Sequence, residues 1–344
     1  MMLGQTSQIT LTLTPGKSPR LVTVRFVTTI GDEMSLARDD ALRFIRLKYP
    51  NWSVDKAEIT FEDKYVPHDG GSIGAAVGTV ILSTIEGFAI DPSAAMTGDI
   101  SANGKVRAIG GVSAKLKGAI ADKCTLVAMP MDNYDQLVDA VVYNGPGIVE
   151  NVQVIGISDL ADAVATVRTD RDAKLREAID LFTSLQHDAR DNPDYFRNKS
   201  AQVTLARILE LAPNHLSAKI LLTLAQDHLP ATLSVAASDY YTAVAVHEMM
   251  GILAERANSS ASRNVPSSAL RQGLASLQKL RPLANPAARP LIAAWARFIE
   301  VCNGLEDGSA SPKEAEAARQ ELLDEMDKEQ MNADLMQKAL KEGV

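Results

Sequence analysis

Apolar residues along this chain follow two rhythms, and the change between them falls near residue 170. Gln8–Thr14 (QITLTLT) and Leu21–Thr29 (LVTVRFVTT) alternate apolar and polar positions and are rich in β-branched residues. That pattern predicts two strands, with Pro15-Gly16-Lys17 as the turn between them. Glu33–Lys48 places Met34, Ala37, Ala41, Phe44 and Ile45 at helical spacing and stops before Pro50. Ala57–Glu62 reads as a third strand. The glycine-rich loop His68-Asp69-Gly70-Gly71 then leads into a helix of small residues, Ser72–Glu86. Two short strands, Ala94–Ile100 and Lys105–Ile109, are joined at Ala102-Asn103-Gly104-Lys105, where Asn-Gly is a strong hairpin signal. Helix Ser113–Ala121, strand Thr125–Met129, helix Tyr134–Val142, strand Val152–Ile157 and helix Leu160–Val167 follow. Strands and helices mixed with local hairpins predict an α+β (mixed α/β) domain over residues 1–170.

Beyond that point the strand signals stop. Arg171–Gln186 is amphipathic, His187–Lys199 is a polar break, and Ala201–Leu211 and Leu216–Leu224 pair as helices around Ala212-Pro213-Asn214-His215. This piece resembles the turn of a tetratricopeptide-type helical hairpin, although no second copy recurs at a fixed period. Asn258–Ser268 reads as a flexible Ser/Asn-rich loop. Pro312–Lys341 reads as one long solvated helix that packs through Leu322, Met326, Met331 and Leu335. The expected organisation is a mixed domain over 1–170 and an all-α helical-hairpin domain over 171–344.

Composition narrows the function classes. The net charge is −8, with 35 basic against 43 acidic side chains. Residues 1–170 hold 15 basic and 20 acidic residues, and 171–344 hold 20 and 23. Neither part has the basic excess that nucleic acid or an anionic membrane requires, so neither partner is expected. The two cysteines, Cys124 and Cys302, make no disulfide framework or metal motif and fit a reducing, cytoplasmic compartment. The opening residues show neither a basic nor an apolar signal region, so no signal peptide is expected. The most apolar stretch, Ile73–Ile90, is broken by Gly74, Gly78, Glu86 and Gly87 and does not read as a membrane span.

One segment carries chemistry. In Asp69-Gly70-Gly71-Ser72-Ile73-Gly74 a serine stands on a glycine-rich loop that opens a helix. Backbone amides there can approach a developing oxyanion, and the helix N-terminus favours negative charge. Taken alone, Ser72 reads more simply as an N-cap. A nucleophile also needs a base. Of the five histidines, His68 adjoins the loop too closely in sequence, and His187, His215, His228 and His247 all lie in the helical half.

A lysine is the alternative base, and here the sequence resembles a known family. Pro67–Gly74 (PHDGGSIG), Ala95–Asp99 (AMTGD) and Gly104–Lys115 (GKVRAIGGVSAK) resemble three motifs of the Lon (endopeptidase La) proteolytic domain, in register and without a gap. Gly31-Asp32-Glu33-Met34 also resembles part of that family's amino-terminal lobe. The resemblance covers roughly residues 8–168. It implies Ser72 as nucleophile, Lys115 as general base and Thr97 as a hydrogen-bond partner of the lysine. It further implies Asp69 as the acidic loop residue, and an oxyanion hole of backbone amides around Gly70, Gly71 and Ser72. Asp99 takes the place of the family's glutamate, Gly71 that of its proline, and Ile73 that of a small residue. A lysine of ordinary pKa about 10.4 is half neutral at pH 7 only if its surroundings disfavour the charged form by about 4.6 kcal/mol. Burial near Val112, Ala114 and Leu116 is the expected source.

No G-x-x-x-x-G-K-[ST] phosphate loop occurs in the sequence, and Gly110–Lys115 lacks that motif's second glycine and its ending. His247-Glu248-Met249-Met250-Gly251 lacks the second histidine of a zinc-protease helix. The resulting expectation is an ATP-independent serine peptidase with a Ser-Lys dyad, acting on unfolded or flexible polypeptide without cofactor or metal. The helical half would bind a protein partner, and the resemblance implies a homo-oligomer, with a hexamer as one size. The competing reading is a non-catalytic Lon-like scaffold for oligomerisation, with partner binding through the helical domain.

Overall fold

The computed structural model describes residues 6–14, 24–52, 54, 56–62, 69–190, 192, 194–250 and 266–328. The chain divides into two compact units, Met1–Leu229 and Pro230–Val344.

The first unit is mixed α/β. Strands β1 (Ile9–Thr14), β2 (Val24–Phe26) and β3 (Lys56–Phe61) form one sheet in the order β1-β3-β2. β1 runs antiparallel to β3, with Ile9 opposite Phe61 and Thr14 opposite Lys56, and β2 runs parallel to β3. The first two strands therefore pair with the third and not with each other. The turn expected at 15–17 lies outside the described residues. Alternation along β1 sets Ile9, Leu11 and Leu13 inward and leaves the threonines in solvent. Helix α1 (Asp32–Lys48) follows β2 and buries Met34, Ala37, Ala41, Leu42 and Ile45.

The second sheet holds β4 (Ala94–Met96), β7 (Leu126–Pro130) and β8 (Gln153–Ile157), all parallel, in the order β4-β7-β8. Central β7 is buried along its whole length, as a parallel strand covered on both faces must be. Its side chains alternate between two cores. Ala128 joins a core with helices α2 (Gly74–Glu86) and α6 (Leu160–Val167). Val127 and Met129 join another, with α3 (Val112–Ala121), α4 (Tyr134–Asn144) and α5 (Gly147–Glu150). Short β5 (Asp99–Ile100) and β6 (Val106–Arg107) form the hairpin expected at Asn103-Gly104, with Gly104 at φ +83°. The single strand expected over 94–100 is split at Thr97-Gly98, because β4 pairs with β7 while β5 pairs with β6.

The packing does not change at residue 170. Helices α7 (Ala173–Ala189), α8 (Lys199–Leu211) and α9 (Leu216–Ala225) share the core of α3–α5, contributing Phe182, Leu205, Ile208, Leu216 and Leu221. Their turn also covers the open edge of β8. The Gly156 amide donates to the Asn214 carbonyl at 2.8 Å, and Asn214 Nδ2 returns a bond to the Gly156 carbonyl at 2.8 Å. Ser217 Oγ accepts from the Val154 amide at 2.9 Å and donates to the Val152 carbonyl at 3.1 Å. An exposed sheet edge is a liability, and here the helical hairpin occupies it.

The second unit is helical among its described residues: Val235–Val246, Ser267–Leu283, Arg289–Asp307 and Pro312–Lys328. Ser267 and Ser268, expected in a loop, begin the second of these helices, and residues 251–265 lie outside the described residues. Leu322 is buried as expected and Met326 is half-buried, while Met331 and Leu335 fall outside the described residues. Among the described residues no helix is long and apolar enough to cross a membrane.

Candidate active site around Ser72

The loop entering the site is anchored by Asp69. The N-cap of helix α1 is Gly31, which has no side chain to cap it, and the Asp69 carboxylate does so from a distance. Its Oδ1 accepts the Met34 amide at 3.1 Å and the Gly70 amide at 2.8 Å. A negative group at a helix N-terminus is favoured by both hydrogen bonding and the helix dipole. A Cβ on Gly31 would meet the Asp69 carboxylate carbon at 1.9 Å, so a larger residue there would displace the carboxylate from the helix start. The motif at Gly31–Met34 and the motif at the serine loop are thus two halves of one contact. Pro67 and His68 lie outside the described residues.

From Gly70, at φ +108°, the chain enters a 3-10 turn, Gly71–Ile73, that runs into α2. Ser72 sits in the middle of this turn, half-buried. The N-cap position of α2 is Ile73, and neither the turn nor the helix takes a side-chain cap, so Ser72 is not the N-cap that its sequence context suggests. The turn is held instead by the Thr97-Gly98 step. The Gly98 amide donates to the Ser72 carbonyl at 2.8 Å, and the Ala75 amide donates to the Gly98 carbonyl at 2.9 Å. Thr97 extends the pairing of β4 through its amide to the Ala128 carbonyl at 3.0 Å. Its hydroxyl makes a long contact of 3.5 Å to the Ser72 carbonyl.

Asp99 lies against the same turn. A Cβ on Gly71 would stand 3.0 Å from Asp99 Oδ1, so any larger residue there would press on the carboxylate. Burial pushes the Asp99 carboxyl up from its ordinary value, Arg107 opposes this through an ion pair of 2.8 Å, and Asp40 adds to the rise.

Lys115 comes from the other side of the sheet, in the first turns of α3. It is half-buried, while its neighbours Val112, Ala114 and Leu116 are buried and Lys117 is exposed. Its Nζ donates to the Gly110 carbonyl at 3.0 Å. The α3 N-terminus turns on Gly111 at φ +67°. The strand of residues leading into it is held by Asn133, which is wholly buried: Oδ1 accepts the Ile109 amide at 3.0 Å and Nδ2 donates to the Ile109 carbonyl at 2.7 Å. Sequence reasoning passed over Asn133, because an asparagine just after a strand reads as an ordinary turn residue.

The structure thus brings Ser72, Gly71, Thr97 and Asp99 together, ties Asp69 and Gly70 to α1, and carries Lys115 in the first turn of α3, with its amine on the Gly110 carbonyl. Among the described residues no group of three or more His, Cys, Asp or Glu could hold a metal ion.

Residues 3–167 match the profile of the Lon protease (S16) C-terminal proteolytic domain. The chain is 31% identical over 146 residues to Lon protease 1 of Bacillus subtilis, covering 40% of this chain and 18% of that one. It is 29% identical over 154 residues to the Archaeal Lon protease of Archaeoglobus fulgidus, covering 44% and 24%. A Lon protease of Mycoplasma genitalium is 38% identical over 97 residues, covering 28% and 12%. The matched stretch therefore spans less than a quarter of the length of each of these relatives.

Proposed function

We propose that this chain, whose residues 3–167 match the profile of the Lon protease (S16) C-terminal proteolytic domain, is a serine peptidase that hydrolyses flexible polypeptide through Ser72 and Lys115. The observation that carries this reading is the bonding of Gly98 to both sides of the Ser72 turn. It pins the serine at the end of β4 and the start of α2, and no cap engages its hydroxyl.

In the proposed reaction Lys115 acts as a neutral amine. Such an amine has two N–H donors and one lone pair, and one donor is already placed on the Gly110 carbonyl. The lone pair takes the proton of Ser72 Oγ as the oxygen attacks a peptide carbonyl. The resulting oxyanion falls to the amides of Gly71 and Ser72 and to the N-terminus of α2. The Gly70 amide is committed to Asp69, so the oxyanion hole is narrower than the resemblance implies. Collapse expels the amine, which leaves with the proton carried by Lys115, and forms an acyl ester on Ser72. Water, deprotonated by the same lysine, then hydrolyses the ester and restores both groups.

These residues include no phosphate loop, so the reaction as proposed needs no nucleotide. The test is hydrolysis of a disordered protein without ATP, comparing the wild type with Ser72→Ala. Loss of at least about a hundredfold in rate supports the reading. Activity that survives Ser72→Ala removes it.

A further inference from the structure

Asn133 stands at the N-cap position of α4, a place for which asparagine is well suited, yet its side chain does not cap that helix. It turns to Ile109 and bonds both the amide and the carbonyl of that residue, the pair of bonds a neighbouring strand would supply. A further bond runs from Nδ2 to Gln136 Oε1. Ile109 immediately precedes Gly110, the residue whose carbonyl receives the Lys115 amine. Gly110 and Gly111 have no side chains to anchor them. The direction of the Gly110 carbonyl is therefore set from the two ends of the pair, by Asn133 at Ile109 and by α3 after Gly111.

The turn that carries Asn133 is braced in turn by the helical hairpin. Met131 packs so closely on β8 that a Cβ on Gly156 would meet its Cε at 2.8 Å, with the Asn214 carbonyl beside it at 3.4 Å. The Lys219 ammonium of α9 lies 4.2 Å from the centroid of the Tyr134 ring, and the Tyr134 hydroxyl lies beside Thr223 on the same helix. The contacts run without a gap from α9 through Tyr134 and Asn133 to Ile109, Gly110 and Lys115.

We propose that Asn133 is a positioning residue for Lys115, and that α9 holds Asn133 in place. The helices after residue 170 would then serve the reacting lysine as well as any partner. This rests on Lys115 acting as the base. Fixing one N–H on Gly110 aims the remaining lone pair, so loss of the clamp lowers the rate of proton removal and leaves substrate affinity alone.

The experiment measures the rate of Ser72 modification by a small fluorophosphonate in the full chain, as a function of reagent concentration and pH. The variants are Asn133→Leu, which keeps the size without polar atoms, and Asn133→Asp, which keeps the acceptor for the Ile109 amide. The expected result for Asn133→Leu is a limiting rate lower by about tenfold or more, with the half-saturating reagent concentration within about threefold of wild type. Asn133→Asp should recover part of that loss. Should Asn133→Leu fail to fold, Lys219→Met, an exposed change on α9, should lower the limiting rate by about threefold. A folded Asn133→Leu or Lys219→Met that reacts at the wild-type rate overturns the inference and leaves the peptidase reading standing. Wild-type protein that does not react at Ser72 takes both down.

Discussion

Gly98 and Val106 approach so closely that a methyl group on the first would stand 2.6 Å from Cγ1 of the second, and 3.2 Å from the Ala75 Cβ. The close approach lets β4 end, β5 begin and the Ser72 turn dock within a few residues. Gly98→Ala should therefore push the serine turn away from β4. We expect a stability loss of about 1–3 kcal/mol by denaturant titration, from overpacking. Ser72 labelling should fall further than global stability explains. A variant with wild-type labelling would show that this contact does not set the serine.

Asp69 joins the serine loop to the start of α1. Asp69→Ala removes the acceptor for both the Met34 and Gly70 amides. The lost cap should cost about 1 kcal/mol. Asp69→Asn keeps an acceptor for Met34 and should recover most of the stability. The Gly70 amide, released in Asp69→Ala but still accepted by Oδ1 in Asp69→Asn, should make the loop of the alanine variant more susceptible to proteolysis; digestion at 69–72 as slow as in the wild type would contradict this.

His215 supplies a pH dependence whose sign is fixed. Its ring is wholly buried against Phe182, with Nδ1 accepting the Ala218 amide at 3.2 Å and Nε2 3.2 Å from Gln153 Oε1. Desolvation pushes its pKa down from 6.5 to about 3. Between these values the unfolded chain binds a proton that the native state does not, so stability falls as pH is lowered from about 6.5 toward 3. The slope should reach about 1.4 kcal/mol per pH unit for this one group. His215→Asn keeps a cap acceptor and should flatten the dependence of the urea midpoint on pH across that window, whatever it does to the midpoint at pH 7.5. An unchanged slope would contradict the assignment.

Ser217 tests the role of the helical hairpin as cover for β8. Ser217→Ala leaves the buried Val154 amide without its acceptor, which should cost about 1–3 kcal/mol. Calorimetry should show the loss in the transition that contains β7 and β8, and not as an isolated melting of helices. Two separate transitions, with only the helical one shifted, would show the hairpin to be independent of the sheet.

Much of this was readable from local signals. Leu160–Val167 is a helix with the expected ends, its N-cap filled by Asp159. Asn103-Gly104 makes the expected hairpin because only a residue at ease with positive φ closes it. What escaped depends on partners distant in sequence. Alternation in β1 and β2 says which face is buried but not which strand lies alongside, and both chose β3. The break in β4–β5 is a switch of partners at Gly98, invisible in a run of β-compatible residues. The turn at Asn214-His215 reads as a helix–helix connection, and its pairing with β8 requires knowing where that edge lies. The three motifs at Pro67–Gly74, Ala95–Asp99 and Gly104–Lys115 stand out in the sequence because each is a short run of consecutive residues. Asn133 does not, since one asparagine in a turn has many ordinary uses.

The decisive measurement is covalent labelling of folded full-length protein with a fluorophosphonate, followed by peptide mapping of the adduct. The expected result is a single adduct on Ser72, formed faster as pH rises, and reduced by at least about a hundredfold in Lys115→Met at equal folded fraction. No adduct on Ser72, or one formed equally fast without Lys115, would contradict the dyad and leave the Lon-like domain as a scaffold.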